Sequence, residues 1–126
     1  MVRMHRRAGD RFREMDLLYL TTVGARSGAH RTTPAARFDD GQGGAIIVAS
    51  AGGATQHPDW YHNLVAHPDQ VQVEVSGKVH RVRVDQLQGR QREEAWDRVV
   101  ERAPRFNGYL TKTDRQLPVL RLTPIA

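Results

Sequence analysis

The chain has 126 residues, 39% of them aliphatic or aromatic and 26% charged, with a net charge of +5 and no cysteine. That length holds one hydrophobic core and not two, and the lack of cysteine excludes disulfides, thiolate nucleophiles and cysteine-ligated metals. No apolar run approaches the roughly 18 to 20 residues that cross a bilayer, and the start, Met1-Val2-Arg3-Met4-His5-Arg6-Arg7, lacks the apolar stretch of a secretory signal, so a cytoplasmic protein is expected.

Residues 1–13 carry five arginines (Arg3, Arg6, Arg7, Arg11, Arg13) against Asp10, so most of the net charge sits on a basic arm. The body, residues 14–126, is nearly neutral and reads as a single domain. Such an arm is equipped to approach nucleic acid, anionic lipid or an anionic ligand, and a solvated, partly disordered terminus is the competing reading. Leu17 to Val23 is an apolar, β-branched run stopped by Gly24, which predicts a buried strand. A basic turn, Ala25 to Ala29, leads into a second strand from His30 to about Phe38. After the turn Asp39 to Gly44, the apolar run Ala45 to Ser50 predicts a third strand.

Gly52-Gly53 breaks that strand, and His57 to Ala66 predicts a short helix with Pro58 in its first turn. Val71, Val73 and Val75 alternate with polar residues. Ser76-Gly77 then turns the chain into Lys78 to Asp85, where Val82 and Val84 continue the alternation as a hairpin. From Arg90 to Ala103 the residues Ala95, Trp96, Val99 and Val100 fall at helical spacing, and Pro104 ends that helix. Arg105 to Asp114 is irregular or a short helix, and Val119 to Leu122 is a last strand. This order predicts an α+β fold, a small antiparallel β-barrel of about six strands with two or three flanking helices.

Few residues point to chemistry of their own. His57 and His62 are five apart and do not share a helix face, and no carboxylate completes a set, so no metal site is expected. Ser27 and Ser50 sit in no nucleophile elbow, and no phosphate-binding P-loop is present. The body carries no helix-turn-helix or RNA-binding signature, so no nucleic-acid partner is expected. The informative stretch is Gly24-Ala25-Arg26-Ser27-Gly28-Ala29-His30-Arg31-Thr32-Thr33-Pro34. Its glycines expose backbone N–H groups, Ser27 and Thr32 add hydroxyls, and Arg26 and Arg31 can fork onto oxyanions. That suits a phosphate or carboxylate, although a solvated basic turn has the same composition. Ala49-Ser50-Ala51-Gly52-Gly53 is a second small-residue loop, of the kind that lets backbone approach a flat ring, with Trp60 and Tyr61 following.

As an ordered set these segments resemble the deazaflavin-dependent nitroreductase family, within the split β-barrel flavin- and deazaflavin-binding group. The matching pieces are Leu20 to Gly28 with Arg31 and Pro34, Val48 to Gly53, His57 to Leu64, His67-Pro68 ahead of Val71 to Val73, and Thr113-Asp114-Arg115 ahead of Pro118-Val119. The resemblance implies a reductase that passes a hydride from reduced coenzyme F420 to an electrophilic small molecule: a quinone, a nitroaromatic compound or an activated alkene. It implies that Ala25, Arg26, Ser27 and Arg31 hold the coenzyme's phosphate and the start of its oligoglutamate tail. Thr32, Thr33, Pro34, Ala35 and Ala36, with Val48, Ala49, Ser50 and Ala51, would line the ring and ribityl chain. Asp59, Trp60, Tyr61, His62 and Asn63 would close another side.

The chain departs from the family at Ala51, where a lysine or other polar residue is common, and at Phe106, where a tyrosine is expected. Phe106 and Tyr109 would form the acceptor pocket, Tyr109 as the phenol that hydrogen-bonds the acceptor and Phe106 as a lid surface. Pro104 and Gly108 predict a loop there. The alternatives are an FMN-binding protein of the same fold and a non-catalytic F420 carrier. The basic arm would hold the enzyme peripherally at the inner face of the cell membrane, where lipid-soluble quinones are found.

Overall fold

In the structure, a computed structural model, residues 11–12, 15–50, 56–109 and 116–125 are described. They form strands β1 (Arg11–Phe12), β2 (Met15–Val23), β3 (His30–Ala36), β4 (Phe38–Asp39) and β5 (Ala45–Val48), then helix α1 (Asp59–Ala66). Strands β6 (Gln72–Val75) and β7 (Lys78–Gln86) follow, then helices α2 (Gly89–Arg102) and α3 (Phe106–Tyr109), and last β8 (Val119–Pro124). Most of the basic arm, together with Ala51 to Gly53 and Thr113 to Arg115, lies outside the described residues. The arm's end does not: Arg11 and Phe12 pair with Asp16 and Met15 as a two-residue strand. Among the described residues no helix is long and apolar enough to cross a membrane.

All pairings are antiparallel, and they close a ring because two segments each serve two neighbours. β3 pairs with β2 from Val23↔His30 to Leu17↔Ala36, and one residue later β4 pairs with β5 through Phe38↔Ile46. Arg37 makes that corner: its backbone N–H donates to Asp16 O at 2.9 Å and its Nε to Leu17 O at 3.0 Å. On the far side of the ring, β7 pairs with β6 over Lys78 to Arg81 and with β8 over Val82 to Gln86. The expected strand His30 to Phe38 is thus one bent segment shared by the two halves of a split barrel. The hairpin at Ser76-Gly77 has φ of 51° and 80° at its two central residues, the left-handed pair that a tight two-residue turn requires.

Strand alternation sorts the apolar residues into two cores. Leu18 and Leu20 of β2, Ile47, Val73, Val82, Leu120 and Leu122 fill the barrel interior together with Leu64 of α1. Ile46, Val48 and Val119 face outward and pack with Phe38 against Ala95 and Val99 of α2, its C-cap Ala103 and Phe106. Both faces of β5 and β8 are therefore buried. That is why β5 reads as an unbroken apolar run, whereas β8 keeps Arg121 and Thr123 between its apolar residues.

Beyond the corner, Asp40 organises the turn into β5. Its Oδ1 accepts the N–H groups of Gln42 at 2.6 Å and Gly44 at 2.9 Å, and its Oδ2 faces Arg121 Nε at 3.5 Å. The carboxylate is almost fully buried, so removing it strands a half-buried arginine and leaves the N–H groups of Gln42 and Gly44 without their acceptor. Asp40→Ala should cost about 3 kcal/mol, read as a lower urea midpoint with unchanged slope.

Candidate coenzyme site

The turn between β2 and β3 folds back on itself. Gly24 N–H donates to Ala29 O at 2.7 Å, Gly28 N–H to Gly24 O at 3.0 Å, and Ala29 N–H to Ser27 Oγ at 3.1 Å. Gly28 has φ of 72°, a left-handed conformation that favours glycine. Gly24 matters for a different reason: a Cβ there would lie 2.6 Å from Ser27 Oγ, which would have to turn away, and 3.4 Å from Ala29 O. The tight fold leaves Arg26, Ser27 and Arg31 exposed.

Helix α1 backs the turn. Pro58 sits at its N-cap, and its Leu64 enters the barrel core while Asn63 is buried beside it. Asn63 Oδ1 accepts the N–H of Ala25 at 3.0 Å, and its Nδ2 lies 3.4 Å from Thr22 Oγ1. Arg31 pairs in register with Thr22, so its side chain leaves the strand on the face that meets α1. A cavity of about 710 Å³ opens between these pieces, lined by Gly24, Ala25, Arg26, Ser27, Arg31, Asp59, His62 and Asn63.

Seven of those eight residues were expected from the sequence, and Gly24 is the addition. Its signal was available: a residue with no Cβ at a strand end, three positions before the serine that its backbone abuts. The rest of the expected set lies elsewhere. Trp60 and Tyr61 pack on the interior core, and Tyr61 OH donates to Gln86 Oε1 at 2.8 Å. The stretch Thr32 to Ala36 is divided by its own alternation. Thr33 and Ala35 share the inner face with Arg31, whereas Thr32, Pro34 and Ala36 face outward, Thr32 Oγ1 lying 2.9 Å from Thr21 Oγ1. Val48 is buried in the outer core, and Ala49 N–H donates to Pro118 O at 2.9 Å. Ser50 is half-buried, and Ala51 lies outside the described residues.

The segment at Phe106 corrects an expectation. It is a short helix and not a loop, and Phe106 is a core residue, 5% exposed. Its ring meets Phe38 edge-on at 5.7 Å and Tyr109 at 5.0 Å. Proline and glycine argued for a loop, but the apolar surface of Phe38 and Trp96 draws the ring inward. Tyr109 is half-buried against the same outer core, which also contains Val48 and receives Ala36. Among the described residues no group of three or more metal-ligating side chains gathers.

Residues 1–124 match the family described as F420H(2)-dependent quinone reductase. The chain belongs to that family. Its members are oxidoreductases that use coenzyme F420. An F420H(2)-dependent quinone reductase of Mycobacterium tuberculosis (strain ATCC 25618 / H37Rv) is 39% identical over 109 residues, covering 84% of this chain and 72% of the relative. A solved F420-H2-dependent reductase is 39% identical with a TM-score of 0.75, covering 84% of this chain and 92% of that one. The haem storage protein HutZ of Vibrio cholerae, at 14% identity and a TM-score of 0.66 over 99% of this chain and 88% of that one, shares the fold alone.

The cavity residues fit the anionic end of such a coenzyme. Two exposed guanidiniums, a hydroxyl and a glycine-lined backbone form a donor set for phosphate or carboxylate oxygens. A volume of about 710 Å³ lies within the usual range for small-molecule sites. Gly24→Ala should displace the Ser27 hydroxyl and loosen the turn, weakening F420 binding by roughly fivefold, about one hydrogen bond's worth. In a Ser27→Ala background, which removes the obstructing oxygen, the same substitution should add little. Fluorescence titration of the four proteins checks this.

Proposed function

We propose that this chain reduces quinone-type acceptors and grips F420 at its anionic end with Arg26 and Arg31. The observation that carries the proposal is the common cavity of those two arginines, Ser27 and the first half of α1. The phosphate and first glutamyl carboxylate would take the guanidiniums and the Ser27 hydroxyl, while Asp59 and His62 face the ribityl hydroxyls. The ring would lie along the outward residues Thr32, Pro34 and Ala36 and the end of β5, from Val48 to Ser50. Bound there, the reduced deazaflavin supplies the hydride. What the protein contributes is placement and a fixed electrostatic field.

On the acceptor side the proposal rests on Tyr109. It shares the outer core with Ala36 and Val48, so a ring lying over those residues has the phenol at its edge. Tyr109 would donate to the acceptor oxygen as negative charge develops there. Phe106, buried beneath it, would fix the ring of Tyr109 and not act as a lid. Apolar surface with one donor beside it would suit a quinone, since its carbonyl oxygen needs one hydrogen bond and its ring needs surface.

Two outcomes test this reading. Arg31→Ala should raise the F420 dissociation constant roughly ten- to a hundredfold and flatten its salt dependence, because a charge-assisted hydrogen bond contributes about 1.5 to 3 kcal/mol. In the unaltered protein F420 should displace FMN, and tighter FMN binding would mark an FMN protein instead. Tyr109→Phe should slow reduction of a menadione-like quinone by roughly ten- to a thousandfold while leaving F420 affinity nearly unchanged. If turnover holds and thermal stability falls instead, Tyr109 belongs to the core alone.

A further inference from the structure

Asn63 carries no charge and is 7% exposed, yet it is the side chain that connects α1 to the basic turn. Its Oδ1 accepts the Ala25 N–H at 3.0 Å from 38 residues along the chain, and its Nδ2 reaches Thr22 Oγ1 at 3.4 Å. The other hydrogen bonds of the turn, those of Gly24, Gly28 and Ala29, stay within the turn itself. They fix its shape but not its direction relative to the cavity. The Ala25–Asn63 bond sets that direction, one peptide before Arg26.

We infer that Asn63 is a positioning residue for the anionic end of the coenzyme. It holds the Ala25 amide against α1, and so aims Arg26 and Ser27 into the cavity, with its own acceptor already occupied by the protein. This rests on the reading of the turn given above and deepens it. Asparagine suits the position because one flat carboxamide accepts from a backbone N–H and donates to a hydroxyl at once. Without the acceptor, a partly buried N–H loses its partner and the turn swings free of the helix.

The test uses Asn63→Leu, which keeps the volume beside Leu64 and deletes the acceptor, and Asn63→Asp, which keeps both shape and acceptor. In the coenzyme-free protein, Asn63→Leu should shift the Ala25 amide resonance and speed its hydrogen exchange, whereas Asn63→Asp keeps the amide protected. Asn63→Leu should weaken F420 binding about tenfold. In an Arg26→Ala background that loss should shrink severalfold, because the residue being aimed is gone. Asn63→Ser, too short to reach Ala25, repeats the comparison should the leucine variant not fold. Full additivity with Arg26→Ala overturns the inference, as does an unchanged Ala25 amide in Asn63→Leu. If Arg26→Ala itself leaves F420 affinity unaltered, the reading of the turn is wrong and the inference falls with it.

Discussion

Closure of the barrel depends on a single bent segment, residues 30–39, whose first part pairs with β2 and whose last part pairs with β5. Arg37 stabilises the bend by donating to two successive carbonyls of β2, Asp16 O and Leu17 O. Because β7 makes the matching switch between β6 and β8, the two halves are joined at both sides by a shared segment. The interior is then a closed volume that Leu18, Leu20, Ile47 and Leu120 can fill, while α2 covers the outside of the second half. The same bent segment begins at the basic turn. Where the barrel closes therefore also settles where Arg31 stands and which helix it faces.

In the proposed reading, stability and ligand recognition fall on different residues. Each fully buried Leu, Ile or Val of the two cores contributes about 1.5 to 3 kcal/mol, and the short surface helices add little by propensity alone. Arg26, Ser27 and Arg31 are exposed and make no contact on which the barrel depends. Their placement relies instead on uncharged parts: the missing Cβ of Gly24, the left-handed Gly28 and the carboxamide of Asn63. Hydride transfer within this family puts the reactive atom on the coenzyme, so binding geometry is what this chain supplies.

Much of this was legible in the residues. Period-two alternation with Ser76-Gly77 specified the β6–β7 hairpin, and the apolar runs specified β2 and β5. The cluster Gly24 to Arg31 marked the turn that lines the cavity. Other features needed the third dimension. Nothing local distinguishes Arg37 from a mid-strand residue, because the bend comes from its pairing with β2. The stretch Thr32 to Ala36 reads as one lining surface, but a strand shows alternate residues to opposite faces. Pro104 and Gly108 suggest a loop with Phe106 as a lid surface, whereas Phe38, some seventy residues earlier, buries it. Asn63 stood in the expected set as a contact, and only its bond to Ala25 reveals what it holds.

The central claim is that the turn between β2 and β3 grips the coenzyme by its anionic end. It is tested most directly by titrating the protein with F420 and with its deazaflavin–ribityl core, which lacks the phosphate and the glutamyl tail. The account predicts that the core binds at least about a hundredfold more weakly, since two or more charge-assisted hydrogen bonds are lost. Comparable affinity for the two would place recognition on the ring and contradict the assignment of Arg26 and Arg31.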